Sequence, residues 1–188
     1  MVTKLIPIDK PGFDVDLDIR YATDNNFTGK PIYSRPGSYL HPEAAKALQW
    51  AIELAALQGL RFKIFDTFRP REAQVALFNH TPDPNFISHP DTGSVPHCRG
   101  VAVDLTLIDK KGKELDMGTD FDAFTPLSFH GSRDVSLEAQ KNRYLLMGIM
   151  TTAGWDFYRN EWWHYQLFKP REFEILTDEL AGTKMMPK

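Results

Sequence analysis

Two short stretches of the chain carry side chains that together could bind and use a metal ion. One reads HCRGVAVD and supplies an imidazole from His97 and a carboxylate from Asp104. The other reads EWWH and supplies a second imidazole from His164 and a further carboxylate from Glu161. A catalytic zinc site needs three protein ligands, an open position for water and a nearby base that is not a ligand. The residue types therefore predict a catalytic zinc site assembled from both stretches.

The spacing of His97 and Asp104 has to be reconciled with the local structure. Residues seven apart on one regular strand face opposite sides of a sheet. Residues 101–107 alternate as a strand, and Asp104 lies on a face of small side chains that leaves room for an ion. Gly100 can bend the chain before this strand, so we expect His97 in the preceding loop, turned toward Asp104. The pair alone does not distinguish a metal site from a chance spacing.

Glu161 and His164 raise a similar question, because residues three apart share a face of a helix but lie on opposite faces of a strand. The aromatic run 162–168 favours a strand, so Glu161 is expected to project from its beginning or from a bulge. The alternative is a surface glutamate beside a histidine that is buried in an aromatic core. Arg69, which precedes Pro70 at a strand end, likewise has the alternative of a surface salt bridge.

The elements that must position these residues follow from periodicity and from end signals. We expect four strands, at Asp14–Tyr21, Arg61–Phe68, Val101–Leu107 and Trp162–Phe168, and a hairpin turn at 109–112 that returns through 114–117. We expect three helices, at Pro42–Leu57, at Arg71–His80 and from a Ser136 cap to about Ala153. Strands and helices do not alternate regularly, so the pattern predicts an α+β fold in which helices flank a mainly antiparallel sheet.

Length and charge limit the possible partners. A chain of 188 residues with 42% hydrophobic residues can form one domain with its own core, and we expect residues 1–188 to be a single catalytic domain. The formal charge is −3, and Lys and Arg are not clustered with aromatic residues as in nucleic-acid-binding proteins. We therefore expect no nucleic-acid partner, and the sequence leaves the oligomeric state open.

Cysteine content and hydropathy bear on the compartment. Cys98 is the only cysteine, so the fold cannot depend on an internal disulfide, and we expect a buried thiol there rather than a metal ligand. The first ten residues lack the apolar core of a signal peptide, and no apolar run approaches the roughly 20 residues that span a bilayer. The sequence therefore predicts a cytoplasmic protein without a membrane partner.

Several motifs, in order along nearly the whole chain, resemble the zinc D-alanyl-D-alanine dipeptidases, the family that includes the vancomycin-resistance dipeptidases. The motifs are Asp66-Thr67-Phe68-Arg69-Pro70, His97-x-x-Gly100-x-Ala102-x-Asp104 and Glu161-Trp162-Trp163-His164. The likeness extends to residues 19–23, 26–31, 104–107 and 117–122. The resemblance implies the α+β fold shared by zinc D,D-peptidases and hedgehog-type domains, one zinc ion per chain and a small dipeptide substrate.

The resemblance also implies a role for each matching residue. His97, Asp104 and His164 would ligate zinc, Glu161 would be the catalytic base, and Arg69 would stabilise the transition state. The substrate pocket would include Tyr21, Asp122 and Ser94, with Asp122 binding the substrate ammonium. Asp66 is expected behind the site, holding Arg69 or a ligating histidine in place.

The approach to His97 departs from the pattern of the family, which reads Ser-x-His at this point. Here Val95 and Pro96 precede His97, and Ser94 is three residues back. Either Ser94 is displaced from the substrate, or a bend at Pro96 returns it. Three other functions remain open at this stage: a zinc carboxypeptidase for longer cell-wall peptides, a non-catalytic zinc module that binds a partner, and a metal-free protein with core histidines.

Overall fold

A five-stranded mixed sheet forms the centre of the structure, a computed structural model in which residues 3–188 are described. The strands of the chain are β1 (Ile6–Pro7), β2 (Val15–Leu17), β3 (Tyr39–Leu40), β4 (Arg61–Asp66), β5 (Ala102–Ile108), β6 (Asp156–Phe157) and β7 (His164–Gln166). The α-helices are α1 (Pro42–Leu57), α2 (Arg71–His80), α3 (Leu137–Thr152) and α4 (Asp178–Ala181). Short 3-10 helices lie at Arg20–Ala22, His97–Arg99, Pro126–Ser128 and Pro170–Glu172.

The central sheet has the strand order β2-β4-β5-β7-β6. Strand β2 pairs with β4 in parallel, and the β4–β5, β5–β7 and β6–β7 pairs are antiparallel. Strands β1 and β3 form a separate antiparallel pair. The prediction of an α+β fold with a mainly antiparallel sheet is therefore confirmed.

Helices α1 and α3 pack against each other and cover one face of this sheet. Helix α1 has Pro42 in its first turn, and Gly59, at a φ of 70°, follows its end. Proline without an amide donor suits the first turn, and glycine tolerates the left-handed conformation. Helix α3 begins where the Ser136 side chain accepts a hydrogen bond from the Ala139 amide at 3.0 Å. All three predicted helices, including α2 with its predicted bounds, are confirmed, and local end signals explain why they could be predicted.

The two faces of strand β5 have different surroundings. Val103, Leu105 and Leu107 are fully buried in the hydrophobic core, and Asp104 points to the opposite face. All seven residues of β5 are buried, because side chains cover both faces of the sheet here. The predicted alternation thus assigns the two faces correctly, and neither face is exposed to solvent.

Several predicted strands are shorter than expected. The strand predicted at Arg61–Phe68 ends at Asp66. The strand predicted at Asp14–Tyr21 is reduced to β2, at the edge of the sheet, and its Leu17 is 43% exposed. The strand predicted over 162–168 is limited to β7. The return of the predicted hairpin makes only one bridge to β5, between Ile108 and Glu114.

Within residues 3–188, no helix combines the length and the apolar character needed to cross a bilayer.

Candidate active site

Three neighbouring strands place three functional side chains side by side. In the strand register Asp66 of β4 lies opposite Asp104 of β5, and Asp104 lies opposite His164 of β7. The β4–β5 pairing shifts by one residue between Ile64 and Asp66. A bulge of this kind turns the following side chain to a new direction. The shift therefore brings Asp66 into line with the other two residues.

His97 reaches the same place from a loop. It begins a 3-10 helix that ends at Gly100, where φ is 66°, so the chain bends before β5 as expected. A Cβ atom at Gly100 would lie 3.0 Å from the backbone nitrogen of His41, so a larger residue would clash as well as be strained. This bend places Nε2 of His97 3.3 Å from Oδ2 of Asp104.

His97, Asp104 and His164 form one compact group of ligand atoms. The three atoms they offer all lie within 4.8 Å of one another, and all three residues are buried. Nδ1 of His164 is 3.0 Å from Oδ1 of Asp104 and 3.2 Å from Nε2 of His97. Two imidazoles and one carboxylate facing a common point match the ligands of a catalytic zinc ion. The residues present therefore fit a divalent metal such as zinc.

The electrostatics of Asp104 suit a ligating carboxylate. Burial opposes its ionisation, but the charge of His97 and a hydrogen bond from His164 outweigh burial and hold the pKa of Asp104 well below its usual range. The carboxylate form is the form that binds a metal ion. Asp104 is therefore ready to act as a ligand at neutral pH.

Arg69 is buried, so the alternative of a surface salt bridge is wrong. Its Nε donates to Oδ2 of Asp66 at 2.9 Å, and its Nη1 donates to Oε1 of Gln74 at 2.9 Å. The guanidinium also lies over the Tyr21 ring, 4.9 Å from its centroid. The remaining nitrogen, Nη2, is 3.6 Å from Oδ2 of Asp104. These contacts fix a cation beside the ligand group.

Asp66 lies behind the group formed by His97, Asp104 and His164. It is fully buried and accepts a hydrogen bond from the Tyr33 hydroxyl at 2.9 Å as well as the one from Arg69. Burial raises the pKa of Asp66, and the charges of Arg69 and His97 partly offset this effect. Nδ1 of His97 is 3.8 Å from Asp66, and it is closer, at 2.6 Å, to the carbonyl oxygen of Thr67. Asp66 therefore holds Arg69 directly, and the Thr67 carbonyl holds His97.

Glu161 lies in the turn before β7, consistent with the expectation that it projects from the beginning of the strand. It is 6% exposed, and its Oε2 is 3.9 Å from Nδ1 of His164. Burial, followed by the negative charges of Asp104 and Asp122, raises the pKa of Glu161 well above its ordinary value. The alternative of a surface glutamate is therefore wrong. A buried carboxylate adjoins the ligand group.

A cavity lies beside the group of His97, Asp104 and His164, and Tyr21 and Asp122 meet at its wall. The Tyr21 hydroxyl donates to Oδ1 of Asp122 at 3.2 Å. Oδ2 of Asp122 is buried and has no hydrogen-bond partner among residues 3–188. Burial, followed by the charge of Asp104, raises the pKa of Asp122 well above its ordinary value. A cationic group in the cavity would both pair with this carboxylate and favour its ionised form.

Ser94 also lines the cavity, so the unusual approach to His97 does not carry it away from the site. Val95 has a φ of 40°, a left-handed conformation that is rare for a β-branched residue. Residues in such conformations typically cost about 1–3 kcal/mol each and collect at functional sites. Arg99 holds the turn by donating from Nε to the carbonyl oxygen of Ser94 at 2.8 Å. The bend at Val95 and Pro96 therefore keeps Ser94 at the cavity.

The cavity itself has a volume of about 230 Å³. This is below the roughly 300–1,000 Å³ that is typical of sites for drug-sized ligands. Phe124 forms part of its wall and packs on Phe86 and Phe27, with ring centroids 4.8 Å and 4.9 Å apart. The volume of this cavity suits a small substrate.

Cys98, as expected, is buried outside the ligand group, and burial raises the pKa of its thiol to about 12.

Two residues that contact the site were missed by sequence reasoning. Oε1 of Gln166 accepts a hydrogen bond from Nε2 of His164 at 3.1 Å. It is two residues from His164 on β7, so the period of a strand could have placed both on one face. Gln74 contacts Arg69 from α2, and its pairing depends on how α2 packs, which no local pattern reveals.

The sequence is similar to those of known proteins over most of its length. The profile of a family described as D-ala-D-ala dipeptidase matches residues 1–176. A D-alanyl-D-alanine dipeptidase of Escherichia coli (strain K12) is 39% identical over 168 residues, which is 89% of this chain and 86% of that protein. A D-alanyl-D-alanine dipeptidase of Enterococcus faecium is 33% identical over 183 residues, 85% of this chain and 89% of that protein.

Among solved structures, a vancomycin-resistance D,D-pentapeptidase in complex with Zn(II) aligns over 96% of this chain and 97% of that chain, with 14% identity and a TM-score of 0.46. The family assignment rests on the profile and on the two dipeptidases, each of which extends over most of the chain. The chain belongs to the D-ala-D-ala dipeptidase family.

Proposed function

We propose that this protein is a zinc-dependent dipeptidase that hydrolyses D-alanyl-D-alanine. The observation that carries the proposal is the buried group of His97, Asp104 and His164, which lies at a small cavity together with Glu161 and Arg69. A site that only held a metal for structure would need neither a spare carboxylate nor a buried cation. The substrate and its D-stereochemistry come from the named activity of the relatives.

The metal would be held by Nε2 of His97, a carboxylate oxygen of Asp104 and Nδ1 of His164. These are the atoms that face one another in the structure. Bound by such ligands, a zinc ion would lower the pKa of a bound water to about 7 and would so supply a nucleophile at neutral pH.

Glu161 would move the protons of the reaction. Its carboxylate lies beside the ligand group without belonging to it, and Oε2 is 3.9 Å from Nδ1 of His164. In this position it can accept a proton from the attacking water and pass the proton to the amine that leaves. A positioned general base of this kind typically contributes about 10²- to 10⁴-fold in rate.

Arg69 would stabilise the negative charge that develops on the carbonyl oxygen of the peptide. Asp66 and Gln74 fix two of its nitrogens, while Nη2 faces Asp104. The cation is therefore already in place before the reaction, as effective electrostatic stabilisation requires.

The cavity wall would bind the ammonium end of the dipeptide. The buried Oδ2 of Asp122, without a partner among the described residues, suits the ammonium group of the substrate. Tyr21 holds this carboxylate through its hydroxyl group, and Ser94 lines the cavity on the approach to His97. A pocket of about 230 Å³ favours a free dipeptide over a longer chain.

The proposal is tested by incubating the zinc-loaded protein with D-alanyl-D-alanine and, separately, with a cell-wall pentapeptide that ends in the same two residues. We expect release of D-alanine from the dipeptide and little or none from the pentapeptide. Preferential trimming of the pentapeptide would instead indicate a carboxypeptidase. Failure to hydrolyse either compound would refute the proposal.

A further inference from the structure

The two histidine rings of the ligand group are oriented by different partners. Nδ1 of His97 is 2.6 Å from the carbonyl oxygen of Thr67, which leaves Nε2 facing the ligand group. His164 has the opposite arrangement: its Nδ1 faces the ligand group, and its Nε2 is 3.1 Å from Oε1 of Gln166. A neutral imidazole carries one N–H and one lone pair, and only the lone pair can bind a metal.

The partner of Nε2 therefore determines which nitrogen of His164 can act as a ligand. The carboxamide oxygen of Gln166 only accepts hydrogen bonds, so in the neutral imidazole that could ligate a metal this contact requires the single proton on Nε2. In that form the lone pair lies on Nδ1. Without this acceptor, the proton could instead occupy Nδ1 and donate to Oδ1 of Asp104, only 3.0 Å away. That arrangement would block both atoms as ligands.

The backbone keeps Gln166 in position. His164 and Gln166 lie two residues apart on β7, so their side chains leave the same face of the strand. Gln166 lies opposite Ala102 of β5 on one side and opposite Asp156 of β6 on the other, so both neighbouring strands pair with β7 at this residue. A residue held by hydrogen-bonded neighbours on both sides is a suitable support for a metal ligand.

We infer that Gln166 is a positioning residue of the metal centre, which holds His164 in the tautomer whose Nδ1 binds the ion. The inference rests on the proposed function, since it requires a metal at His97, Asp104 and His164. Gln166 also lines the cavity, so the competing role is a contact with the substrate. The two roles differ in what they change: a positioning residue affects metal affinity, whereas a substrate contact affects KM alone.

The test compares zinc affinities by competition with a chromophoric chelator. Gln166→Leu removes the acceptor, and we expect zinc affinity to fall about 10- to 100-fold, as is typical when such a partner is lost. Gln166→Glu keeps an acceptor and should stay within a few-fold of the wild type. Gln49→Leu, the same change on α1 outside the cavity, should have no effect. Unchanged zinc affinity in Gln166→Leu, with or without a raised KM, would overturn the inference.

A second measurement does not depend on how the variants fold. In wild-type protein labelled with 15N at histidine, we expect the ring of His164 to carry its proton on Nε2 when zinc is bound. Coordination through Nε2 would overturn the inference. The proposed function fails separately: in that case the wild type itself would bind no zinc at this group. If the wild type binds zinc but is insensitive to Gln166, the function stands and only the inference is lost.

Discussion

The Nη2 atom of Arg69 lies 3.6 Å from Oδ2 of Asp104, so a buried cation adjoins a proposed metal ligand. The same guanidinium is held from behind by Asp66. A carbonyl oxygen that approaches the metal would therefore also approach Arg69. The proposed metal ligand and the proposed stabilising cation are therefore neighbours in the same small cavity.

Replacing Arg69 by alanine should remove this stabilisation. Loss of one preorganised donor typically costs about 3–4 kcal/mol, so we expect kcat to fall at least about 10²- to 10³-fold. Steady-state kinetics should be measured beside zinc content, which we expect to remain near one per chain. Arg71→Ala, which removes the neighbouring and more exposed arginine, is the matched control and should be nearly neutral. An unchanged kcat in Arg69→Ala would refute the role.

Glu161→Gln tests the proposed base with little change in shape. We expect hydrolysis to fall by about 10²- to 10⁴-fold, because the amide cannot accept the proton, while zinc binding is retained. Glu172→Gln on the surface should behave as the wild type. If Glu161→Gln instead lost its zinc, Glu161 would be a ligand and the assignment would be wrong.

Gln74 connects Arg69 to the loop that precedes His97. It is 2% exposed, its Oε1 accepts from Arg69, and its Nε2 donates to the carbonyl oxygen of Ser88 at 2.7 Å. Hydrogen bonds to charged groups contribute about 1.5–3 kcal/mol, so Gln74→Leu should lower kcat roughly 10- to 100-fold. Gln74→Glu keeps the acceptor for Arg69 and should recover part of this loss. Equal kcat values in Gln74→Leu and the wild type would contradict this role.

His130 should make stability depend on pH. Burial, followed by the charge of Arg143, lowers the pKa of His130 from 6.5 to about 4. The unfolded chain therefore binds more protons than the folded protein between these values. The contribution of His130 to the free energy of unfolding is fully present above about pH 6.5 and is lost as pH falls toward 4. Below pH 4 this contribution does not change further. The loss should be about 1–3 kcal/mol.

The measurement for His130 is the free energy of unfolding by denaturant at pH 7.5 and at pH 5. His130→Phe keeps an aromatic ring beside Phe157, whose ring centroid is 5.0 Å away. This variant should lose less stability than the wild type between the two pH values. His80→Phe, at an exposed histidine, should lose as much as the wild type. The same loss in His130→Phe as in the wild type would show that His130 is not responsible.

The helices could be predicted from the sequence because their limits are encoded by neighbouring residues. Pro42 and Gly59 mark α1, Pro70 precedes α2, and Ser136 caps α3. Strand limits were less predictable, because they depend on which distant segment is available for pairing. Leu17 alternates correctly but lies at an uncovered sheet edge, and the short strand β6 exists only through its pairing with β7.

In the candidate site, too, some features follow from neighbouring residues and others depend on distant pairing. His97, Asp104, His164 and Glu161 could be selected by type and spacing, since Gly100 gave a reason for the bend. Their convergence could not be derived from spacing alone, because it depends on the register that aligns three strands at Asp104. The partners of the site residues were harder still. A carboxamide such as that of Gln74 has no distinctive chemistry until its neighbours are known.

The central claim is that hydrolysis of D-alanyl-D-alanine depends on one zinc ion at His97, Asp104 and His164. The most direct measurement removes metal with a chelator, returns zinc in known amounts and follows both D-alanine release and bound zinc. We predict no hydrolysis in the metal-free protein and a recovery that saturates at one zinc per chain. Full activity without metal, or a protein that binds one zinc at these residues and still does not hydrolyse the dipeptide, would contradict the account.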